Sequence, residues 1–151
     1  MTNPFLASKS ARLKEWRFVK KQLNPGMSDM DHLQMIVNWW SPCPISPRVI
    51  DPYDAELWPT GWELVFRGEF CQSSIALGME QTLLLREGRW TNERIKLLLI
   101  NDNNEDIYLI VLVDDKWILN YSYGEIIDIA TVNNIKILMK FIYSSNSHKS
   151  Y

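Results

Sequence analysis

The sequence predicts an α+β fold in which N-terminal helices and one core helix pack on an antiparallel β-sheet. Three observations carry that prediction. Through the first half of the chain apolar residues recur at helical spacing. Beyond Gly88 the period changes to short runs rich in Ile, Val, Leu and aromatics, separated by Asn- and Asp-rich turns. With 151 residues, 46% hydrophobic and 23% charged, the chain has the size and composition of a single domain with one core.

The first helix is expected over residues 8–23, where Leu13, Trp16, Val19 and Leu23 form an apolar stripe between basic residues and Asn24-Pro25-Gly26 stops it. Ser28 opens a capping pattern with acids in the first turn, and Met30, Leu33, Val37 and Trp40 continue as the apolar face of a second helix. Five prolines between Ser41 and Thr60 remove backbone donors and predict an irregular loop. A short helix over 60–66 is broken by Gly68. The core helix then runs over 71–87, with Ile75, Leu77, Met79, Leu83 and Leu84 as apolar positions and Gly88 after it. Strands are expected over 95–100, 107–113 and 117–121, and segments 126–130 and 135–142 add a fourth strand and a last strand or helix. The Ser- and Asn-rich residues 144–151 read as a frayed tail. The sequence has no internal repeat.

Composition excludes several function classes. A net charge of −2 leaves no electrostatic footprint for nucleic acid, and the locally basic run 9–21 reads as the solvated face of a helix. No apolar run of about 18 residues or more predicts a membrane span, and Met1-Thr2-Asn3-Pro4 does not open a secretory signal. Two cysteines, Cys43 and Cys71, are too few for a disulfide framework, and a disulfide between them is not expected. The expected location is the cytoplasm, or a particle assembled there.

A cysteine at the start of a core helix, after helices and before an antiparallel sheet, is the layout of papain-like and transglutaminase-like hydrolases. The helix start lowers a thiol pKa and can face an oxyanion. The local sequence is more specific. Leu57-Trp58-Pro59-Thr60-Gly61-Trp62-Glu63-Leu64 and then Arg67-Gly68-Glu69-Phe70-Cys71-Gln72-Ser73-Ser74-Ile75-Ala76 resemble the bacterial transglutaminase-like cysteine proteinase pattern. That pattern reads Tyr-Trp-Ala-Thr-Pro-x-Glu-x-Leu, a glycine turn, then Gly-Asp-Cys-Glu-Asp-x-Ala. Ile36-Val37-Asn38 upstream is similar to the Val-Asn ending that family's preceding helix, and the resemblance covers residues 28–130.

The resemblance implies a vestigial nucleophile at Cys71 and puts the family's histidine position on Tyr108 (or Ile107 if the strand slips by one) and its aspartate position on Asn120. A family histidine and aspartate are thereby replaced. Asn is tolerated as an orienting residue, but a phenol with an ordinary pKa near 10 does not replace imidazole as a base near neutrality. The two histidines, His32 and His148, fall in the second helix and the tail. Phe70, Gln72 and Ser73 stand where family carboxylates flank the cysteine, so neither a metal nor any other cofactor is expected.

These departures imply a catalytically degenerate member of the family, a pseudoenzyme used as a structural or protein-interaction module. Degenerate domains of this kind resemble bacteriophage virion and tail proteins. The alternatives are an active cysteine hydrolase using Cys71 with an unconventional base, or a peptide-binding module retaining the substrate groove with Trp58, Trp62 and Tyr108 lining it. The plainer reading of Cys71 is a buried small hydrophobe, and of the two tryptophans core or loop anchoring. The expected organisation is an N-terminal helical arm over 1–27, a transglutaminase-like domain over 28–143 and a flexible tail over 144–151. The expected partner is another protein, or further copies of the chain in a larger assembly, with no nucleic acid, membrane or metal.

Overall fold

A computed structural model gives the structure of residues 3–86 and 88–151. Met1, Thr2 and Glu87, with the ends of the expected arm and core helix that fall on them, lie outside the described residues.

Four helices come first: α1 (Lys9–Gln22), α2 (Asp29–Trp40), α3 (Gly61–Arg67) and α4 (Gln72–Leu84). The first three start on Ser8, Ser28 and Thr60, each accepting a backbone N–H from three residues on. Glu63 completes a capping box with Thr60, and Gly68, at φ 77°, ends α3 in the left-handed conformation that glycine tolerates best. The proline-rich segment between α2 and α3 is irregular apart from a 3-10 turn at Ala55–Leu57.

The second half is a six-stranded antiparallel sheet in the order β4-β3-β2-β1-β5-β6. Its strands are β1 (Ile95–Asn101), β2 (Ile107–Val113), β3 (Trp117–Leu119), β4 (Ile127–Asp128), β5 (Lys136–Ser144) and β6 (Ser147–Ser150). The fold is therefore the α+β arrangement of helices on an antiparallel sheet that the sequence predicts. Strand alternation divides the sheet between two apolar clusters. Leu97, Leu99, Leu109, Val111 and Val113 join the helices in the main core. Leu98, Ile100, Tyr108, Ile110 and Leu112 lie on the outer face, under Tyr121, Ile127, Ile129, Val132 and Ile135.

Helix α4 is the centre of the core. The Trp16 and Trp40 indoles both donate to Thr82 Oγ1, at 2.8 and 3.1 Å, and that hydroxyl donates to Gly78 O at 2.6 Å. Any side chain at Gly78 meets the Trp40 ring, so the glycine is there for close approach despite its cost of about 1 kcal/mol in a helix.

Several expectations are corrected. Met30 is 40% exposed, and Ile36 takes its place in the buried face of α2. The third strand stops at Leu119 because Asn120 adopts φ 69°, and the fourth is two residues followed by a 3-10 turn. Residues 3–27 do not stand apart as an arm: Trp16, Val19 and Leu23 lie in the core. Arg12, in the run read as solvated, is 5% exposed and donates to the Val65 and Phe66 carbonyls at 2.7 and 3.1 Å, capping α3. The segment 144–151 is not frayed, because β6 pairs with β5. It also carries His148 to Glu80 of α4, at 2.6 Å between Nε2 and Oε1. No described helix is long and apolar enough to cross a membrane.

Candidate functional site

Cys71 is the N-cap of α4, is 7% exposed, and sits against the loop before α3. Burial pushes its thiol pKa up. The backbone N–H groups of Val49, Ile50 and Ser74 and the Ser74 hydroxyl more than offset this, so the thiol lies below its ordinary value. The backbone N–H of Cys71, however, donates to Ser74 Oγ at 2.7 Å, and that hydroxyl donates back to Cys71 O at 3.0 Å. The donor of the nucleophile residue is thus turned into its own helix and is not aimed at an incoming carbonyl oxygen.

Asn120 lies against the start of α4. Its Nδ2 donates to Gln72 O and to Leu109 O, both at 2.9 Å, while Gln72 Nε2 approaches Asn120 O and Oδ1 at 3.4 and 3.5 Å. The Leu109 N–H in turn donates to Ser73 Oγ at 3.2 Å. The first turn of α4, the middle of β2 and the end of β3 are bound into one joint.

Tyr108, placed at the family histidine position, is not part of it, which corrects the expected register of β2. Its side chain belongs to the outer face of the sheet, and burial together with Asp102 pushes its phenol pKa up, away from any role as a base near neutrality. The physical reason is register, since a shift of one residue along a strand moves a side chain to the other face. On the side shared with Cys71 the strand presents Leu109, fully buried. Ile107, the other expected position, is the first residue of β2 and 41% exposed. Leu109 is the β2 residue that meets the first turn of α4, through its backbone N–H and Ser73 Oγ.

Neither histidine is among the hydrogen-bond partners of Cys71. His32 is buried on α2, where Nδ1 accepts from Trp90 Nε1 at 3.0 Å and Nε2 lies 2.8 Å from Asn24 O and 3.3 Å from Arg89 Nη1. His148 is held by Glu80, nine residues along α4 from Cys71, which at the helical rise is about 13 Å. Trp58 is an anchor: its ring packs on Phe141 and His148, at 4.9 and 5.0 Å between centroids, and its indole donates to Asp51 O at 2.7 Å. Trp62 is half exposed on α3. Neither tryptophan lies in the wall of the cavity beside the start of α4, which encloses about 260 Å³ among Val37, Trp40, Gln72, Met79, Asn120 and Tyr123.

No protein-family model and no curated protein matches the sequence. Solved structures do match the fold. LapG of Legionella pneumophila aligns in its calcium-bound form with a TM-score of 0.72, over 89% of this chain and 77% of that one, at 10% identity. The EGTA-treated form aligns with a TM-score of 0.71 over 89% and 75%, again at 10% identity. This likeness shows a shared transglutaminase-like, papain-like architecture. The positions beside Cys71 do not fit a divalent cation. Phe70 is buried in the core, Gln72 carries an amide, and the Ser73 hydroxyl accepts from Leu109, so these side chains offer no carboxylate.

Proposed function

We propose that this chain is a catalytically silent transglutaminase-like domain that works by binding protein. The observation that carries the reading is the joint at Asn120. The Asn120 amide is bonded to two backbone carbonyls, and the β2 residue held against the first turn of α4 is a leucine that shares the core with Cys71. A thiol hydrolase needs a nucleophile, a base within hydrogen-bond reach and donors for the oxyanion. Among the described residues Asn120 is committed to backbone carbonyls and neither histidine is hydrogen-bonded to Cys71, which supports the silent reading.

A scaffold kept without its chemistry is most simply kept for its surface. Trp62 and Phe66, one helical turn apart on α3, are 50% and 38% exposed, and Leu57 just before them is 78% exposed. Exposed tryptophan and its apolar neighbours are the residues that most often anchor protein interfaces. The partner is another protein or a further copy of this chain, in an assembly of the kind phage particles build. Sedimentation across a concentration series tests self-association, with Trp62→Ala/Phe66→Ala as the control. Association weakened by that pair supports the α3 face. Association unchanged by it removes that face from the account.

One observation favours a second reading: the Cys71 thiol lies below its ordinary value. Residual reactivity toward small electrophiles follows from it, while turnover still lacks a base.

A further inference from the structure

The cavity beside the start of α4 has properties that the silent-enzyme reading does not use. Helices α2 and α4 form one side with Val37, Trp40, Ile75 and Met79, the proline-rich loop contributes Cys43 and Ile45, and residues 120–124 form the third side. None of its lining residues is an Asp, Glu, Lys, Arg or His. Burial pushes the Cys43 thiol up to about 12, so that group stays neutral as well. The volume is about 260 Å³. A dry apolar cavity of roughly 150 Å³ takes benzene, so this one has room for a fused bicyclic molecule.

Residues 121–124 have the make-up of a lid. They lie between two left-handed residues, Asn120 at φ 69° and Gly124 at φ 73°, and a side chain at Gly124 meets nothing nearby, so glycine serves the backbone conformation there. Two hydrogen bonds tether the segment to α2 and its end: Tyr123 OH to Ser41 O at 2.9 Å, and Gln34 Nε2 to Gly124 O at 3.3 Å. The Tyr123 ring is otherwise 83% exposed. At the polar end of the cavity Gln72 makes only long contacts of 3.4 and 3.5 Å to Asn120, leaving its amide able to turn toward a bound molecule.

We propose that this cavity is a binding site for a small, neutral, largely apolar molecule with one hydrogen-bonding group, closed by the Tyr121–Gly124 segment. The site does not depend on Cys71 being silent. Its walls exclude a charged ligand, because burying an unpaired charge among them carries a large desolvation cost.

Indole is the probe, titrated into the full-length protein and followed by calorimetry and ligand-observed NMR. Saturable one-to-one binding is expected, with indole-3-carboxylate bound about tenfold more weakly or worse. Met79→Trp fills the cavity and is expected to abolish binding. Tyr123→Phe removes one tether while leaving the core intact, and is expected to speed association of indole. If neither the wild type nor Tyr123→Phe shows saturable binding, or if indole-3-carboxylate binds as tightly as indole, the proposal is overturned. Should Met79→Trp not fold, the comparison of neutral and charged probes on the wild type decides alone.

Discussion

Asn120 Nδ2 lies 2.9 Å from the carbonyl oxygen of Leu109, so the side chain binds the backbone of β2 and not a ring carried on it. The second hydrogen of the same amide goes to Gln72 O. Asn120 is thus a structural clamp between helix and sheet, and the clamp requires the amide because both of its partners are acceptors.

Asn120→Asp tests that requirement. A carboxylate has no hydrogen to offer and is brought up against two carbonyl oxygens. A loss of about 2–3 kcal/mol in urea unfolding is expected, from two abandoned acceptors and the added repulsion. Asn120→Gly keeps the left-handed backbone and loses only the hydrogen bonds, so a smaller loss is expected for it. Asn120→Asp as stable as wild type would show that the clamp contributes nothing.

Thiol labelling tests the electrostatics of Cys71. Its pKa is held below the ordinary value, so the rate of modification by methyl methanethiolsulfonate, read by mass spectrometry, is expected to reach half its plateau at lower pH than in the unfolded chain. Tyr108→His places its ring on the outer face of the sheet and is expected to leave that profile unchanged. A Tyr108→His profile shifted as a neighbouring imidazolium would shift it contradicts the register.

Cys43 carries the opposite shift. With a folded pKa of about 12, above the ordinary thiol value of about 8.5, the native state binds this proton more tightly than the unfolded chain does. Its stabilising contribution is complete below the ordinary value and is lost as pH rises through the folded one. Between these limits Cys43→Ala is expected to lose stability with pH less steeply than wild type in denaturant titrations at several pH values. Parallel curves would count against the shift.

Glu80 and His148 form a buried pair whose side chains are 1% and 6% exposed, and Glu80 Oε2 has no hydrogen-bond partner among the described residues. His148→Ala leaves Glu80 with Gln81 as the donor to Oε1 and is expected to cost about 1–3 kcal/mol, because a buried polar group loses its hydrogen-bond partner. Hydrogen exchange should show β6 losing protection before β1 and β2. The double variant Glu80→Met/His148→Ala is expected to recover part of the loss. If His148→Ala has no effect on β6, this contact does not fasten the strand.

Much of the fold was legible because its signals are local. Ser28, Thr60 and Gly68 mark helix ends by their own chemistry, and the change from a 3.6 to a 2 period marks the sheet. Asn120 was singled out through the resemblance of the strand that ends on it, and its hydrogen bonds to Gln72 and Leu109 could not be read from the sequence. The face that Tyr108 takes was not legible either, because strands alternate faces and a reading off by one residue lands on the opposite one. The 144–151 strand was missed because Ser, Asn and Lys carry little β signal, and what orders the segment is pairing with β5 and the contact of His148 with Glu80, 68 residues away. Arg12 resembles its exposed basic neighbours in sequence, and its burial depends on where α3 ends.

Hydrolysis measured on a degenerate peptide library, comparing wild type with Cys71→Ala under reducing conditions, tests the central claim most directly. The account predicts equal, background-level cleavage for the two proteins and no acyl adduct on Cys71 by intact mass. Turnover by the wild type that disappears in Cys71→Ala would contradict it, and would show that a base reaches the thiol.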